Sequence, residues 1–313
     1  MKKSTKFILG LAAAVATPIV INKIITKKAN ERIVPRENES IYNWEYGDIR
    51  YLTAGDDDKP PMLLVHGIYP GASALEFKHV MDEFANDYKV YALDLLGFGY
   101  SDKPNITYSA YLYVRLIKVF IDDIIGKPVV GMGSLHSAAV LANCAKLHPE
   151  VFEKLILISP TGTTETVEMA TDVESGLKKF LESPVVGTSF YHMLTSKRAM
   201  PEFFAREGLG EIMPGQDLED FYLASHAGGA GGKYPIAALI SKFFNTDIKA
   251  TLDELTVPFH IITGDVTPDS TGFAIWKGMG ANTPTSLIED AALLPHVELP
   301  EEFYDLAKEK LGQ

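Results

Sequence analysis

Cysteine is all but missing. The 313 residues contain one, Cys144, which excludes an internal disulfide and any cysteine-based metal cluster. It lies in an alanine-rich helical stretch and reads as a small buried hydrophobe, leaving the redox compartment open. The histidines at 66, 79, 136, 148, 192, 226, 260 and 296 include no HExxH and no paired spacing with acids, so no metal site is expected. Nucleotide and flavin fingerprints are lacking too. The glycine-rich "HAGGAGGKY" (226–234) lies between helical segments and does not follow a strand, so it reads as a flexible turn, and no cofactor is expected. There is no internal repeat and no low-complexity tract.

Positive charge is scarce over most of the chain. Residues 1–36 carry eight Lys/Arg against one acid, a local +7, so with a net charge of −12 the rest carries −19. Such a body lacks the basic footprint of a nucleic-acid binder. An anionic lipid surface would repel it, so membrane contact is expected from the N-terminus. There, "MKKSTKFILGLAAAVATPIVINKIITKK" sets Lys2, Lys3 and Lys6 before an apolar run from Phe7 to Ile21. The run resumes at Ile24 and Ile25 past Asn22 and Lys23, and Lys27 and Lys28 close it. The 19 residues from Phe7 to Ile25 are just long enough to span a bilayer, with Lys23 snorkelling. The reading favoured is an uncleaved membrane anchor over residues 1–28, because the apolar run continues past Ala14-Val15-Ala16. That small-x-small site supports the rival, a cleaved signal peptide and a secreted protein. Basic flanks on both sides leave the orientation open.

Residues 29–45 are polar and read as a linker, and "GDIRYLTAG" (47–55) as an edge strand. "MLLVHG" (62–67), "KVYALDLLG" (89–97), "PVVGM" and "KLILISP" (154–160) are short apolar runs separated by helical spacing. Strands alternating with helices predict an α/β fold, a mostly parallel sheet with helices on both faces. The alternation stops near Thr161 and resumes with "VPFHIITG" (257–264), so residues 161–251 read as an inserted helical lid over the sheet's carboxyl edge. The division is then 1–28 anchor, 29–160 first part of the core, 161–251 lid and 252–313 second part of the core.

The chain resembles the α/β-hydrolase fold family, specifically its lidded branch of esterases, epoxide hydrolases and haloalkane dehalogenases. The matching pieces stand in family order: "LLVHG" (63–67), "VYALDLLGFGYSDKP" (90–104), the turn at 129–140, "KLHPEVFEKLILISP" (146–160), "VPFHIITGD" (257–265) and "LPHVELPEEF" (294–303). The resemblance implies a nucleophile on a strained strand-to-helix turn, an acid after a late strand, and a histidine near the C-terminus.

Each of these slots holds another residue. The turn "VVGMGSLHSAAV" needs small residues two before and two after its apex. Leu135 at the apex has Gly133 and Ser137 there, whereas Ser134 would have Met132 and His136. Spacing to the flanking motifs also selects Leu135. Ser134 then reads as a helix-start residue that caps the following helix. In Gly264-Asp265-Val266-Thr267-Pro268 the acid slot falls on Thr267, with Asp265 and Asp269 two residues off register. In "DAALLPHVELPEEF" the histidine slot falls on Leu293, and His296 matches a position that the family often fills with a non-catalytic histidine.

What the resemblance leaves is the scaffold of a site. It makes His66-Gly67-Ile68 the oxyanion loop, with the Ile68 and His136 N–H groups as donors. The leading expectation is a membrane-anchored protein without a triad, a pseudoenzyme that binds a hydrophobic small molecule, a lipid or a protein partner. The competing expectation is an active, esterase-like serine hydrolase using Ser134. Exposed Phe203, Phe204, Phe221 and Tyr222 on the lid would favour a partner or lipid, and their burial a pure scaffold. Leu135 and Leu293 either floor a dry cavity or collapse and fill it.

Overall fold

The computed structural model describes residues 17–161, 172–207, 215–266 and 283–312. After helix α1 (residues 17–30), the strands are β1 (Glu39–Trp44), β2 (Gly47–Ala54), β3 (Pro61–Val65), β4 (Lys89–Leu93), β5 (Val129–Ser134), β6 (Phe152–Ile158), β7 (Phe259–Gly264) and β8 (Thr285–Ile288). They form one sheet in the order β1-β2-β4-β3-β5-β6-β7-β8. The two pairings at the β1 end are antiparallel and the rest parallel. β3 and β5 are buried along their whole length, as continuous apolar runs must be when helices cover both faces. Strand alternation divides their side chains: Leu63 and Val65 enter one apolar core, Met62 and Leu64 the other.

The first core lies under α3 (Ala110–Phe120) and α4 (Leu135–Leu147). Ser109 caps α3 by accepting from Leu112 N, and its π-helical extension ends at Gly126, φ 69°. The second core lies under α2 (Met81–Phe84) and the closing helix Pro300–Leu311.

Residues 29–45 are more than a linker. β1 lies within them and pairs with β2 from Glu39↔Leu52 to Trp44↔Gly47, so β1 is the edge strand and β2 an inner one. An edge strand keeps one side in water, and Ile41 is 46 % exposed, so the segment carries no core signature.

The lid contains α5 (Asp172–Glu182), α6 (Val186–Leu194), α7 (Ala199–Glu207), α8 (Gly215–His226) and α9 (Lys233–Ile240). The next helix, α10 (Ile248–Asp253), packs on α4, where Thr251 Oγ1 donates to Asn143 Oδ1 at 3.0 Å. Phe204 and Phe221 are buried and meet the Tyr69 ring edge-on at 5.6 and 5.7 Å, while Phe203 and Tyr222 are half-buried. The apolar residues that the lid exposes are others, among them Val186 and Met193. The 17–30 helix lies against α6 and α8. Among the described residues no helix is long and apolar enough to cross a membrane; residues 1–16 of the expected anchor lie outside the described set.

Candidate functional site

β5 runs into α4 without an intervening loop: the strand ends at Ser134 and the helix starts at Leu135, whose φ is +52°. For a residue with a branched side chain this left-handed backbone costs about 1–2 kcal/mol. The turn is tight on all sides. A Cβ at Gly133 would fall 2.5 Å from Leu141 Cδ1, and one at Gly67 3.0 Å from Leu135 Cδ1. Leu135 is therefore the apex. Its side chain is buried in the same apolar cluster as Ile68, Tyr69, Phe204, Phe221 and Leu293.

Ser134 stands at the N-cap position of α4 but makes no capping bond, contrary to the sequence expectation. Its backbone is extended, φ −112° and ψ 151°, and its fully buried hydroxyl donates to Glu76 Oε1. A hydroxyl so used cannot turn back to the first helical N–H groups.

Glu76 is the residue that sequence reasoning missed. It sits on a short 3₁₀ turn, Ala74–Phe77, whose Ala74 N–H donates to buried Asp94 at 2.7 Å. Asp94 is fixed in turn by Arg36 at 2.7 Å. Four donors converge on the Glu76 carboxylate. Ser134 Oγ and His296 Nε2 (3.0 Å) meet Oε1, and Gly67 N (2.9 Å) and Tyr69 OH (2.6 Å) meet Oε2. Four matches the acceptor capacity of an ionised carboxylate. Burial alone pushes this carboxyl up; the bonds from His296 and Ser134 and the neighbouring imidazoles more than offset it, and its pKa lies below the usual value. Nothing in "ALEFKHVMDEF" distinguishes this acid from the solvated acids of the same stretch.

His296 is fully buried, stacked on Phe77 at 4.9 Å, and committed to Glu76 through Nε2. Its Nε2–H donates to the carboxylate, and its Nδ1 has no partner among the described residues. Leu293 lies 4 % exposed just before the Pro295–Glu298 turn. Asp265 is a surface acid that accepts from Asp290 N at 2.9 Å. Thr267 and Asp269 lie outside the described residues.

In the oxyanion loop, His66 Nδ1–H donates to Gly67 O at 2.7 Å and Nε2 accepts from Leu95 N at 3.0 Å, so both nitrogens serve the backbone. Burial lowers its pKa and keeps the ring neutral. Gly67 N is spent on Glu76. The N–H groups of Ile68 and His136 have no partner among the described residues. The His136 ring meets Thr161 Oγ1 through Nδ1 at 3.1 Å, and burial pushes its pKa down to about 4. The structure thus brings Ser134, Glu76 and His296 together below the elbow, and Leu135 and Leu293 into the apolar cluster beneath the lid. The described residues contain no metal-ligating group of three or more His, Cys, Asp or Glu.

Residues 62–306 match the model of the alpha/beta hydrolase family. The chain belongs to this family. It is 29 % identical over 195 residues to epoxide hydrolase 4 of Mus musculus, covering 58 % of this chain and 54 % of that one. It is 34 % identical over 118 residues to 2-hydroxy-6-oxo-6-(2'-aminophenyl)hexa-2,4-dienoic acid hydrolase of Metapseudomonas resinovorans, covering 37 % and 40 %. The chain thus spans about half or less of these curated relatives. Among solved structures, the serine hydrolase CarC of carbazole degradation superposes with a TM-score of 0.70 at 20 % identity, covering 88 % of this chain and 98 % of that one. A bacterial membrane phospholipase A gives 0.68 at 20 %, covering 100 % and 98 %. At such identities the superpositions speak for the fold, and this alpha/beta hydrolase shares it.

Proposed function

We propose that this member of the family is catalytically silent and membrane-anchored, and that it uses the elbow and oxyanion loop to bind a hydrophobic molecule with one oxygen acceptor, such as a fatty acyl group. The observation that carries this is Leu135 at the φ +52° apex. The position where the family presents a nucleophile holds an alkyl side chain, which cannot attack a carbonyl. Ile68 N–H and His136 N–H would supply a pair of donors for the ligand oxygen, and Leu135 and Leu293, buried in the apolar cluster beneath the lid, would floor the space that an entering ligand opens. Anchoring rests on the Phe7–Ile25 run.

The alternative, an esterase using Ser134, requires that hydroxyl to leave Glu76 and pass the elbow. Labelling of the full chain with a fluorophosphonate decides between them, because the reagent reports any activated serine whatever the substrate. The expected result is no more labelling than of Ser134→Ala. Labelling of the folded protein that disappears in Ser134→Ala would overturn the silent reading.

A further inference from the structure

We propose that the junction between the 17–30 helix and the lid is a binding site for the phosphate headgroup of an anionic membrane lipid. This rests on the membrane-anchored reading above.

The helix is docked the wrong way round for a water-soluble protein. Asn22, Thr26 and Asn30, four residues apart and hence on one face, turn toward the lid. Asn22 Nδ2 donates to Ser189 Oγ at 3.1 Å, Asn30 Nδ2 to His226 O at 2.9 Å, and Thr26 meets the His192 ring at 3.4 Å. Val20, Ile21 and Ile24 point outward at 55, 49 and 48 % exposure. A helix that hides its amides and shows its isoleucines is arranged for an apolar medium on its outer side.

Polarity also changes along the axis. The outward apolar residues lie from Val20 to Ile24, interrupted by exposed Lys23, and Lys27 and Lys28 follow them. At 1.5 Å per residue the lysines follow Ile24 by about 5 Å, comparable with the depth of a headgroup layer. Beside them α6 exposes Val186 and Met193, which flank the docking residue Ser189 in sequence by three and four positions.

A cavity of about 560 Å³ opens at this level between helix and lid. Its helix side runs from Ile19 through Lys23 and Lys27 to Asn30, and Pro184 and Thr188 face it from the lid. Lys23 has no acidic partner among the described residues, and Lys27 only a solvent-exposed approach of 3.8 Å to Glu31. The remainder of the molecule is strongly acidic, so two such lysines beside one cavity select an anion. Ile19 and Pro184 give the cavity wall an apolar part, which suits a headgroup that carries acyl chains better than a free phosphate.

The test uses the detergent-purified full chain. Flotation with phosphatidylcholine vesicles reads the anchor alone. Titration with dihexanoyl phosphatidylglycerol, dihexanoyl phosphatidylcholine and glycerol phosphate, followed by the rise in melting temperature, reads the cavity. Saturable binding is expected for the phosphatidylglycerol, weaker binding for glycerol phosphate and none for the phosphatidylcholine. Lys27→Glu lowers the affinity at least about fivefold, the worth of one cation at an anionic headgroup. Lys249→Glu, the same charge change at an exposed lysine on α10 and off the cavity lining, leaves it unchanged. Both side chains are on the surface, so both variants fold. Failure to float overturns the anchored reading and the proposal with it. Flotation with equal loss in the two variants, or with no lipid binding, overturns the site and leaves the apolar face to a protein partner. Equal affinity for glycerol phosphate assigns the cavity to a soluble anion and overturns the lipid.

Discussion

Four donors meet on Glu76, and the charge they stabilise lies beneath the elbow instead of in front of it. Glu76→Gln keeps the shape but turns an amide donor toward two of those donors. It is expected to cost about 3 kcal/mol at neutral pH, the usual consequence of breaking a buried charged network. The pH dependence has a definite sign. The folded-state pKa lies below the ordinary value of 4.5, so this stability is present above that value and is lost as pH falls through the folded pKa. Urea midpoints of wild type and Glu76→Gln should therefore converge below pH 4.5; a constant gap would mean that folding does not shift this carboxyl, and a gap that widens as pH falls that Glu76 is uncharged in the folded protein. At this scale the two kinds of residue differ in legibility. Leu135 was readable because a tight turn dictates small neighbours at fixed offsets, and Gly133 and Ser137 supply them. Glu76 was not, because burial of an acid is decided by partners 58 and 220 positions away.

Elements show the same division. The buried strands announced themselves as apolar runs, whereas β1 and the docking of the 17–30 helix rest on pairings that no local pattern records. That docking depends on two stacked imidazoles, His192 and His226, 5.0 Å apart with rings nearly parallel. In the neutral state their bonds have one direction. Thr26 donates to His192 Nε2, His192 Nδ1–H to His226 Nε2 at 3.1 Å, and His226 Nδ1–H to Tyr222 O at 2.8 Å. A second proton on either ring forces this chain of bonds to reverse and places a charge in the buried pair. Burial lowers both pKa values, and for His192, pushed to about 4, the neighbouring His226 and Lys233 lower it further. Because the folded values lie below the ordinary 6.5, the junction is at full strength above that pH. It weakens as pH falls toward about 4. Hydrogen exchange over residues 17–30, corrected for its intrinsic pH dependence, should accelerate in that window while β5 stays protected. Uniform protection of the helix throughout would show that the histidine pair does not hold it.

Over the whole molecule the sequence was most informative, since a parallel sheet covered on both faces leaves a repeated apolar signature, and the family's motifs recur in order along it. Its centre is α4, packed on the sheet and covered by α3 and α10. The single cysteine sits there, fully buried, its Sγ 3.6 Å from Val114 O and its thiol pushed by burial up to about 12. No lid opening or helix undocking uncovers this position, because α3, β5 and α10 all have to separate from α4 first. A thiol reagent in increasing urea should therefore modify Cys144 only along the global unfolding transition, with the midpoint seen by circular dichroism. The 17–30 helix, held to the lid by side-chain hydrogen bonds, should release earlier. Modification of Cys144 at urea concentrations that leave the ellipticity unchanged would mean that α4 opens on its own, and the elbow it carries could then not be the rigid floor that the proposed ligand site requires.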